Sequence, residues 1–217
     1  MSQNVKSCSF QGVEYNLNDD NTWEIVKIDF DIEHLVIPPF VESRPVTSIR
    51  YRAARHHNKL ISVTFPKTIK SIGIECFQSC HQLTEVYLTA EKVKIHRGAF
   101  CNCGKLQKVV GDSIYMDASG AFANCSRLET LRATCRNNIP SYAFENCKRL
   151  TEVTCGENVI IDDNAFRGCM SLEKFVLHGD AIVSHDMWHF MSKREIHCKT
   201  TSRFVEMAYS GTKVVYA

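Results

Sequence analysis

The sequence lacks the features that mark membrane-spanning, nucleic-acid-binding and secreted proteins. No apolar run approaches the roughly 18–20 residues that a helix needs to cross a bilayer, so membrane insertion is not expected. The 26 basic and 24 acidic residues leave a net charge of +2 without a basic tract, which argues against a nucleic-acid partner. The first ten residues, Met1 to Phe10, contain no apolar h-region of a signal peptide, and this favours a cytoplasmic location.

Familiar catalytic and metal-binding motifs are also missing. The chain has no H-E-x-x-H, G-x-S-x-G or P-loop pattern. His56 and His57 are adjacent, and His185 and His189 have helical i, i+4 spacing, but neither pair comes with a recognisable nucleophile or third ligand. We interpret them as surface or end-cap residues and expect neither enzymatic activity nor a cofactor nor a bound metal. An enzyme or metal protein that uses the His and Cys residues is the third alternative.

What the sequence does contain is an internal repeat. Five segments follow the pattern small-Phe-x-x-Cys-x-x-Leu-x-x-apolar, with starts 23, 22, 22 and 22 residues apart, at Cys76, Ala99, Ala121, Ala143 and Ala165. Degenerate copies flank them, at residues 53–63 with His57 in the Cys place, and from Met187 onward. Atypical end repeats are expected because an end repeat has a neighbour on one side only. The count is therefore about seven units.

Each unit is predicted to contain one short helical turn and one short strand. A Phe and a Cys three residues apart can share one face of a helical turn, and Leu-x-x-Val-x-apolar alternates as a strand does. A 22-residue unit cannot bury its apolar face alone, so stacked units should carry Phe and Cys as ladders through the core. The predicted fold is an α/β solenoid, a leucine-rich repeat with short parallel strands, short helical turns and a β-rich N-terminal cap.

The eleven cysteines fit this core better than any disulfide or metal scheme. An odd number cannot pair fully within one chain, and reduced thiols are the default without a signal peptide. Structural zinc needs four ligands that converge on one point, whereas cysteines on successive turns form a line. Cys76 and Cys101 lie off that line, and we expect them to be partly exposed, with a zinc or redox role as the alternative.

The repeats resemble the BspA-like leucine-rich repeat family, whose units carry Ala-Phe-x-x-Cys-x-x-Leu with an Ile a few residues upstream. Ile72, Ile95 and Ile139 occupy that upstream place. At the repeat that begins at Ala121 the place holds Asp117, and we expect Ile114 and Met116 to shift the local register. The segments from residue 10 to residue 49 look like the strands that lead into the first repeat of such proteins. The resemblance implies a surface adhesin or interaction protein, as in bacterial and protist members.

We divide the chain into an N-terminal β cap in residues 1–48, leucine-rich repeats in residues 49–198 and a C-terminal cap in residues 199–217. The last of these would cover the open end of the stack, which is otherwise an aggregating edge. The first functional hypothesis is a monomeric, non-enzymatic module that binds a protein partner. The alternative is a cell-surface adhesin of a microbe or protist, exported without a visible signal peptide.

The outward side chains of the strands are the candidate site. Residues that flank the buried apolar position of a strand point away from the core, and solenoids bind through this face. We centre the site on Tyr87, Lys108, Val110 and Arg132, because Tyr and Arg are enriched at binding hot spots. Alternatively, Glu85–Lys108 and Glu152–Lys174 are simply cross-strand pairs worth about 0.2–1 kcal/mol each, and both interpretations can hold. The full set, called the binding stripe below, is Glu85, Tyr87, Lys108, Val110, Thr130, Arg132, Glu152, Thr154 and Lys174.

Overall fold

The computed structural model describes residues 7–183, residue 190, residues 195–198 and residues 214–216. These residues contain nineteen strands. In chain order they are β1 Ser7–Phe10, β2 Val13–Leu17, β3 Trp23–Ile28, β4 His34–Val36, β5 Phe40–Val41, β6 Arg44–Ile49, β7 Ser62–Phe65, β8 Ser71–Ile72, β9 Glu85–Leu88, β10 Val93–Ile95, β11 Lys108–Met116, β12 Thr130–Arg136, β13 Asn138–Ile139, β14 Glu152–Cys155, β15 Val159–Ile161, β16 Lys174–Leu177, β17 Ala181–Val183, β18 Glu195–Cys198 and β19 Val214–Tyr216.

Parallel pairing arranges the strands in two columns. The first column runs β4–β7–β9–β11–β12–β14–β16–β18–β19, with one turn of chain between successive strands. The second column runs β3–β6–β8–β10 and reaches the end of β11. Further along the chain, β13, β15 and β17 form a separate three-stranded parallel sheet. The solenoid makes about eight turns rather than the predicted seven.

The ends of the chain differ from the repeats. At the N-terminus, β1, β2 and β3 pair antiparallel, and β3 then pairs in parallel with β6. Trp23 is buried there, and its indole Nε1–H donates to the carbonyl oxygen of Val41 at 2.8 Å. At the other end, β18 pairs with β16 one residue earlier than the 22-residue count, as predicted. His185, His189 and most of the predicted C-terminal cap lie outside the described residues. No helix among the described residues is long and apolar enough to span a membrane.

The predicted helical turns are wrong, because the Phe-and-Cys segments contain left-handed residues at two places in each turn. The first place is occupied by Arg52, Glu75, Gly98, Gly120, Tyr142 and Asn164, and the second by His56, Ser79, Asn102, Asn124, Asn146 and Gly168. Their φ angles lie between 53° and 75°, whereas a right-handed helix needs a negative φ at every residue. Two such residues four positions apart leave no room for a helical turn. Residues 7–183 therefore form a β-solenoid without helix.

The backbone N–H groups of these segments turn outward to the next repeat. Phe100 N–H donates to the Ala121 carbonyl at 2.9 Å, and Asn102 N–H donates to the Ala123 carbonyl at 2.8 Å. Between them, Cys103 N–H closes a tight turn onto the Phe100 carbonyl at 3.3 Å. A helix would have satisfied these donors within one unit, so bonds between units replace bonds within a unit. Stacking is thus built into the backbone.

Side chains extend this stacking through the core and along the surface. Neighbouring rings of the predicted Phe ladder lie parallel with centroids 5.3–5.4 Å apart, at Phe77, Phe100, Phe122, Phe144 and Phe166. An asparagine ladder, which the sequence analysis missed, joins Asn124 Nδ2 to Asn102 Oδ1 and Asn146 Nδ2 to Asn124 Oδ1, both at 2.9 Å. The ladders tie each turn to both neighbours.

The predicted Cys ladder has a polar function as well as a packing function. The Cys103 thiol donates to the Phe77 carbonyl at 3.1 Å, and the same contact recurs at Cys125, Cys147 and Cys169 with the carbonyl of the preceding Phe. A thiol is small enough for the core and still satisfies a buried carbonyl. Where His57 replaces the Cys, its Nε2–H donates to the Asp29 carbonyl at 2.8 Å and its Nδ1 accepts from Leu60 N–H. His57 is therefore a buried structural residue of the end repeat.

The remaining cysteines correct one expectation. Cys76 is fully buried rather than partly exposed, whereas Cys101 is half-buried. The described residues, which include all eleven cysteines, contain no group of three or more His, Cys, Asp or Glu that could hold a metal ion. Burial raises the pKa of the Cys76 and Cys103 thiols well above the usual value and that of Cys155 to about 12.

We expect Phe122→Ala to lower the free energy of unfolding by about 3–5 kcal/mol, because it removes a fully buried ring from the middle of the stack. Denaturant unfolding monitored by circular dichroism measures this. Phe40→Ala is the matched control, since Phe40 is 56% exposed and should cost less than about 1 kcal/mol. Equal losses for the two variants would contradict a stabilising contribution of the ring stack.

We expect two of the eleven thiols to react with a thiol reagent in the native protein, since only Cys8 and Cys101 are accessible and the other nine are buried. Partial burial raises the pKa of both above the usual value, so at neutral pH they should react more slowly than a free thiol. Mass mapping of alkylated peptides identifies the sites, and unfolded protein, with eleven reactive thiols, is the control. Rapid modification of the Cys103–Cys169 ladder would contradict the burial.

Candidate binding surface

The binding stripe lies on the outward face of the first column. In β7, β9 and the start of β11, Val63, Val86 and Val109 are buried and their neighbours on either side are half-buried. This alternation follows from the strand geometry, in which successive side chains point to opposite faces. Pairing in register then places Glu85 beside Lys108 and Tyr87 beside Val110. Residues that are 23 positions apart in sequence are immediate neighbours here.

A polar cluster joins the first three members of the stripe. The Tyr87 hydroxyl donates to Glu85 Oε2 at 3.0 Å, and Lys108 Nζ donates to the Tyr87 hydroxyl at 3.1 Å. Lys108 Nζ also lies 3.9 Å from Glu85 Oε1 and 5.0 Å from the centroid of the Tyr87 ring. Each of the three side chains therefore restrains the other two. Their polar atoms are oriented before any partner arrives.

The next turn extends the stripe with Arg132, whose side chain does not belong to this polar cluster. Val110 pairs in register with Arg132, and Lys108 pairs with Thr130. Arg132 is exposed, and within the described part of the chain its guanidinium has no hydrogen-bond or ion-pair partner. Val110 is half-buried between Tyr87 and Arg132. An aromatic ring, an aliphatic side chain and a free guanidinium thus lie side by side on three successive turns.

The structure divides the stripe into two groups after Arg132. The first group contains Glu85, Tyr87, Lys108, Val110, Thr130 and Arg132. Counting by 22 residues would pair Arg132 with Thr154, but β12 and β14 pair Thr134 with Thr154 instead. The register has already shifted between Val110 and Ser113, where β11 runs on into the second column. Glu152, Thr154 and Lys174 form the second group, in which Lys174 Nζ donates to Glu152 Oε2 at 2.9 Å. Both proposed cross-strand ion pairs are present.

A second polar cluster, on the second column, was missed by the sequence analysis. His96 lies between Asp117 and Ser71, with Nδ1 at 2.7 Å from Asp117 Oδ2 and Nε2 at 3.0 Å from Ser71 Oγ. Lys94 Nζ lies 3.1 Å from the same carboxylate oxygen. Ser71 and Asp117 are 25 and 21 positions from His96 in the sequence, close to one repeat. Ser71, His96 and Asp117 stand five, three and four positions before the repeat starts at Cys76, Ala99 and Ala121, so a search for one recurring position would have missed them.

Two solved structures share this fold. A leucine rich cell surface protein from Faecalibacterium prausnitzii A2-165 is 24% identical, with a TM-score of 0.71 and coverage of 91% of this chain. The chain spans 56% of that protein's length. A leucine rich repeat protein of T. pallidum is 20% identical, with a TM-score of 0.67 and coverage of 82% of this chain and 86% of that one.

Comparison with curated protein sequences gives no match to the chain. Comparison with family models does give a match, and it agrees with the structural comparison. The model of the BspA type leucine rich repeat region matches six copies, over residues 47–173 and 111–197. These matches cover more than half of the 217 residues and include all five regular repeats, so the chain belongs to the BspA type leucine rich repeat family.

Proposed function

We propose that the protein is a binding module for another protein, and that the first group of the binding stripe is its contact surface. The observation that carries the proposal is the row Tyr87, Val110 and Arg132, which are neighbours on three successive turns. Tyr and Arg provide much of the energy at protein interfaces, and an aliphatic residue between them supplies apolar area. Arg132 is exposed and its guanidinium is free among the described residues, so it can bind a carboxylate of the partner.

The cluster of Glu85, Tyr87 and Lys108 supports the same surface. Binding costs free energy when flexible side chains become ordered, at about 0.5–1.5 kcal/mol for each such side chain. Here the side chains already restrain one another by bonds of 3.0 and 3.1 Å. The ion pair itself lies at the surface, so it contributes little to stability. Its contribution to binding is to fix the orientation of the Tyr87 ring.

A cell-surface adhesin is the second candidate. The observation that favours it is that the F. prausnitzii structure is described as a leucine rich cell surface protein. In that case the partner is a molecule outside the cell, and the same stripe can serve as the contact surface. The two candidates differ in location and not in the binding residues.

An affinity capture from the source cell's lysate tests the stripe. The variant Tyr87→Ala/Arg132→Glu removes the ring and reverses the free charge, and we expect it to lose a partner that the wild type retains. Loss of one hot spot typically weakens binding by at least 2 kcal/mol, or about 30-fold. Binding of the identified partner to purified wild type and variant is then measured by calorimetry.

The matched control is Tyr51→Ala/Arg127→Glu, which changes the same residue types at exposed positions away from the stripe. Circular dichroism must show that both variants are folded. If the control loses the partner and the stripe variant retains it, the contact surface lies elsewhere. If no lysate protein is captured, labelling of intact cells with a membrane-impermeant reagent decides for the adhesin when the protein is labelled, and against it when it is not.

A further inference from the structure

Ser71, His96 and Asp117 lie on three successive turns in the order nucleophile, base and carboxylate. Ser71 begins β8, His96 follows β10, and Asp117 follows β11. His96 uses its two ring nitrogens on opposite sides, with Nδ1 at 2.7 Å from Asp117 Oδ2 and Nε2 at 3.0 Å from Ser71 Oγ. This is the nitrogen assignment that a serine–histidine–aspartate triad requires.

The solenoid register brings the three side chains together. Ser71 pairs with Lys94, and Ile95 pairs with Met116, so His96 and Asp117 leave their strands side by side. The His96 backbone N–H donates to the Ile72 carbonyl at 3.1 Å, which fixes the histidine one turn after the serine. Because side chains alternate along a strand, Lys94 and His96 point outward while Ile95 is buried. The ends of paired strands therefore position the cluster.

The carboxylate determines which nitrogen of His96 carries the proton. An ionised carboxylate only accepts hydrogen bonds, so the 2.7 Å contact requires a hydrogen on Nδ1. In the neutral ring Nε2 is then an acceptor, and the Ser71 hydroxyl donates to it. Lys94 Nζ lies 3.1 Å from the same carboxylate oxygen. The base is thus oriented to take the serine proton.

A groove of about 570 Å³ adjoins the cluster, which is within the size range of small-molecule sites. Its lining includes Asp117, Lys94, Lys70 and Lys92. The ammonium groups of Lys70 and Lys92 have no ion-pair partner among the described residues. Ser71 and His96 do not line the groove themselves, but Ser71 pairs in register with Lys94 and His96 contacts Asp117, and both of these partners do. The side chains of His96 and Asp117 are 25% and 33% exposed. The positive charges of the lysines favour a ligand that carries an anionic group. They also favour the negative charge that develops on the carbonyl oxygen of an ester during nucleophilic attack.

We propose that Ser71, His96 and Asp117 form an acyl-transfer centre that hydrolyses small carboxylic esters, with a preference for esters that carry a negative charge. Ser71 Oγ forms a bond to the acyl carbon while its proton passes to His96 Nε2. The ester C–O bond then breaks, and the leaving alkoxide takes that proton. Water attacks the acyl-serine, gives one proton to His96 and releases the acid, after which the proton returns to Ser71. Ser71 and His96 are the catalytic residues, and Asp117 is a positioning residue.

This activity lies outside the proposed binding role and would correct the expectation, drawn from the missing motifs, that the chain is not an enzyme. It occupies the second column, whereas the binding stripe occupies the first. Loss of one function therefore leaves the other measurable.

A fluorophosphonate probe tests the nucleophile directly. Attack by Ser71 Oγ forms an O–P bond and expels fluoride, and the serine proton passes to His96. Peptide mass mapping should find the probe on Ser71 and not on Ser48, which pairs in register with Ser71 and is half-buried like it. We expect His96→Gln to lower the labelling rate by about 100-fold or more, the usual loss when a general base is removed. Ser71→Ala should abolish hydrolysis of the p-nitrophenyl monoester of succinate.

The Asp117→Asn variant tests whether Asp117 positions the His96 ring. The measurement is the tautomer of His96, which a purely structural role of Asp117 would not change. In the wild type, ¹⁵N shifts of His96 should show a proton on Nδ1. The side-chain amide introduced by this substitution can donate to Nδ1 and so place the proton on Nε2, where it blocks transfer from Ser71. We expect the tautomer to change and labelling to fall at least about tenfold while the circular dichroism spectrum is kept.

Two results would overturn the proposal. One is labelling of Ser71 no faster than labelling of Ser48, and the other is a Ser71 rate that is unchanged in both His96→Gln and Asp117→Asn. In either case the three side chains are a cross-strand hydrogen-bond ladder. If His96→Gln does not fold, the Asp117→Asn variant and the wild-type ¹⁵N shifts still decide the question.

Discussion

Backbone hydrogen bonds between successive turns hold this solenoid together, and they exist because two residues in each turn adopt a left-handed conformation. Such residues interrupt any helix, and the N–H groups that a helix would have used internally donate to the next repeat. Each repeat therefore depends on its neighbours for its polar groups as well as for its apolar ones. The stacked phenylalanine rings and the thiols bonded to carbonyls follow from the same close, in-register spacing.

The same constraint determines what the surface can do. Because the turns stack in register, side chains about one repeat apart become neighbours about 4.8 Å apart along each column. The Glu85–Tyr87–Lys108 cluster on the first column and the Ser71–His96–Asp117 cluster on the second are both built in this way. Neither requires a loop to fold over a site. Polar clusters in such a protein are assembled from single residues of several repeats.

The parts of the structure that depend on apolar periodicity could be predicted. Phe122 and Cys125 lie in the core where their spacing placed them, and the outward positions of Tyr87 and Lys108 follow from strand alternation. Prediction failed where the backbone departed from that period. The segment between Ala121 and Cys125 has a Phe–Cys spacing that suits a helical turn, but Asn124 has a φ of 61°, which side-chain spacing does not report. The register shift after Val110 likewise separates Arg132 from Thr154.

The amino-acid sequence by itself determined that this is a repeat solenoid with phenylalanine and cysteine ladders, because a buried position must be apolar in every repeat. It also determined the family. Only the tertiary structure decided that the turns contain no helix in residues 7–183, that His57 replaces a thiol through its own hydrogen bonds, and that His96 lies between Ser71 and Asp117. Polar clusters of this kind leave no periodic pattern, since each needs only one residue from each of several turns and the register that joins them.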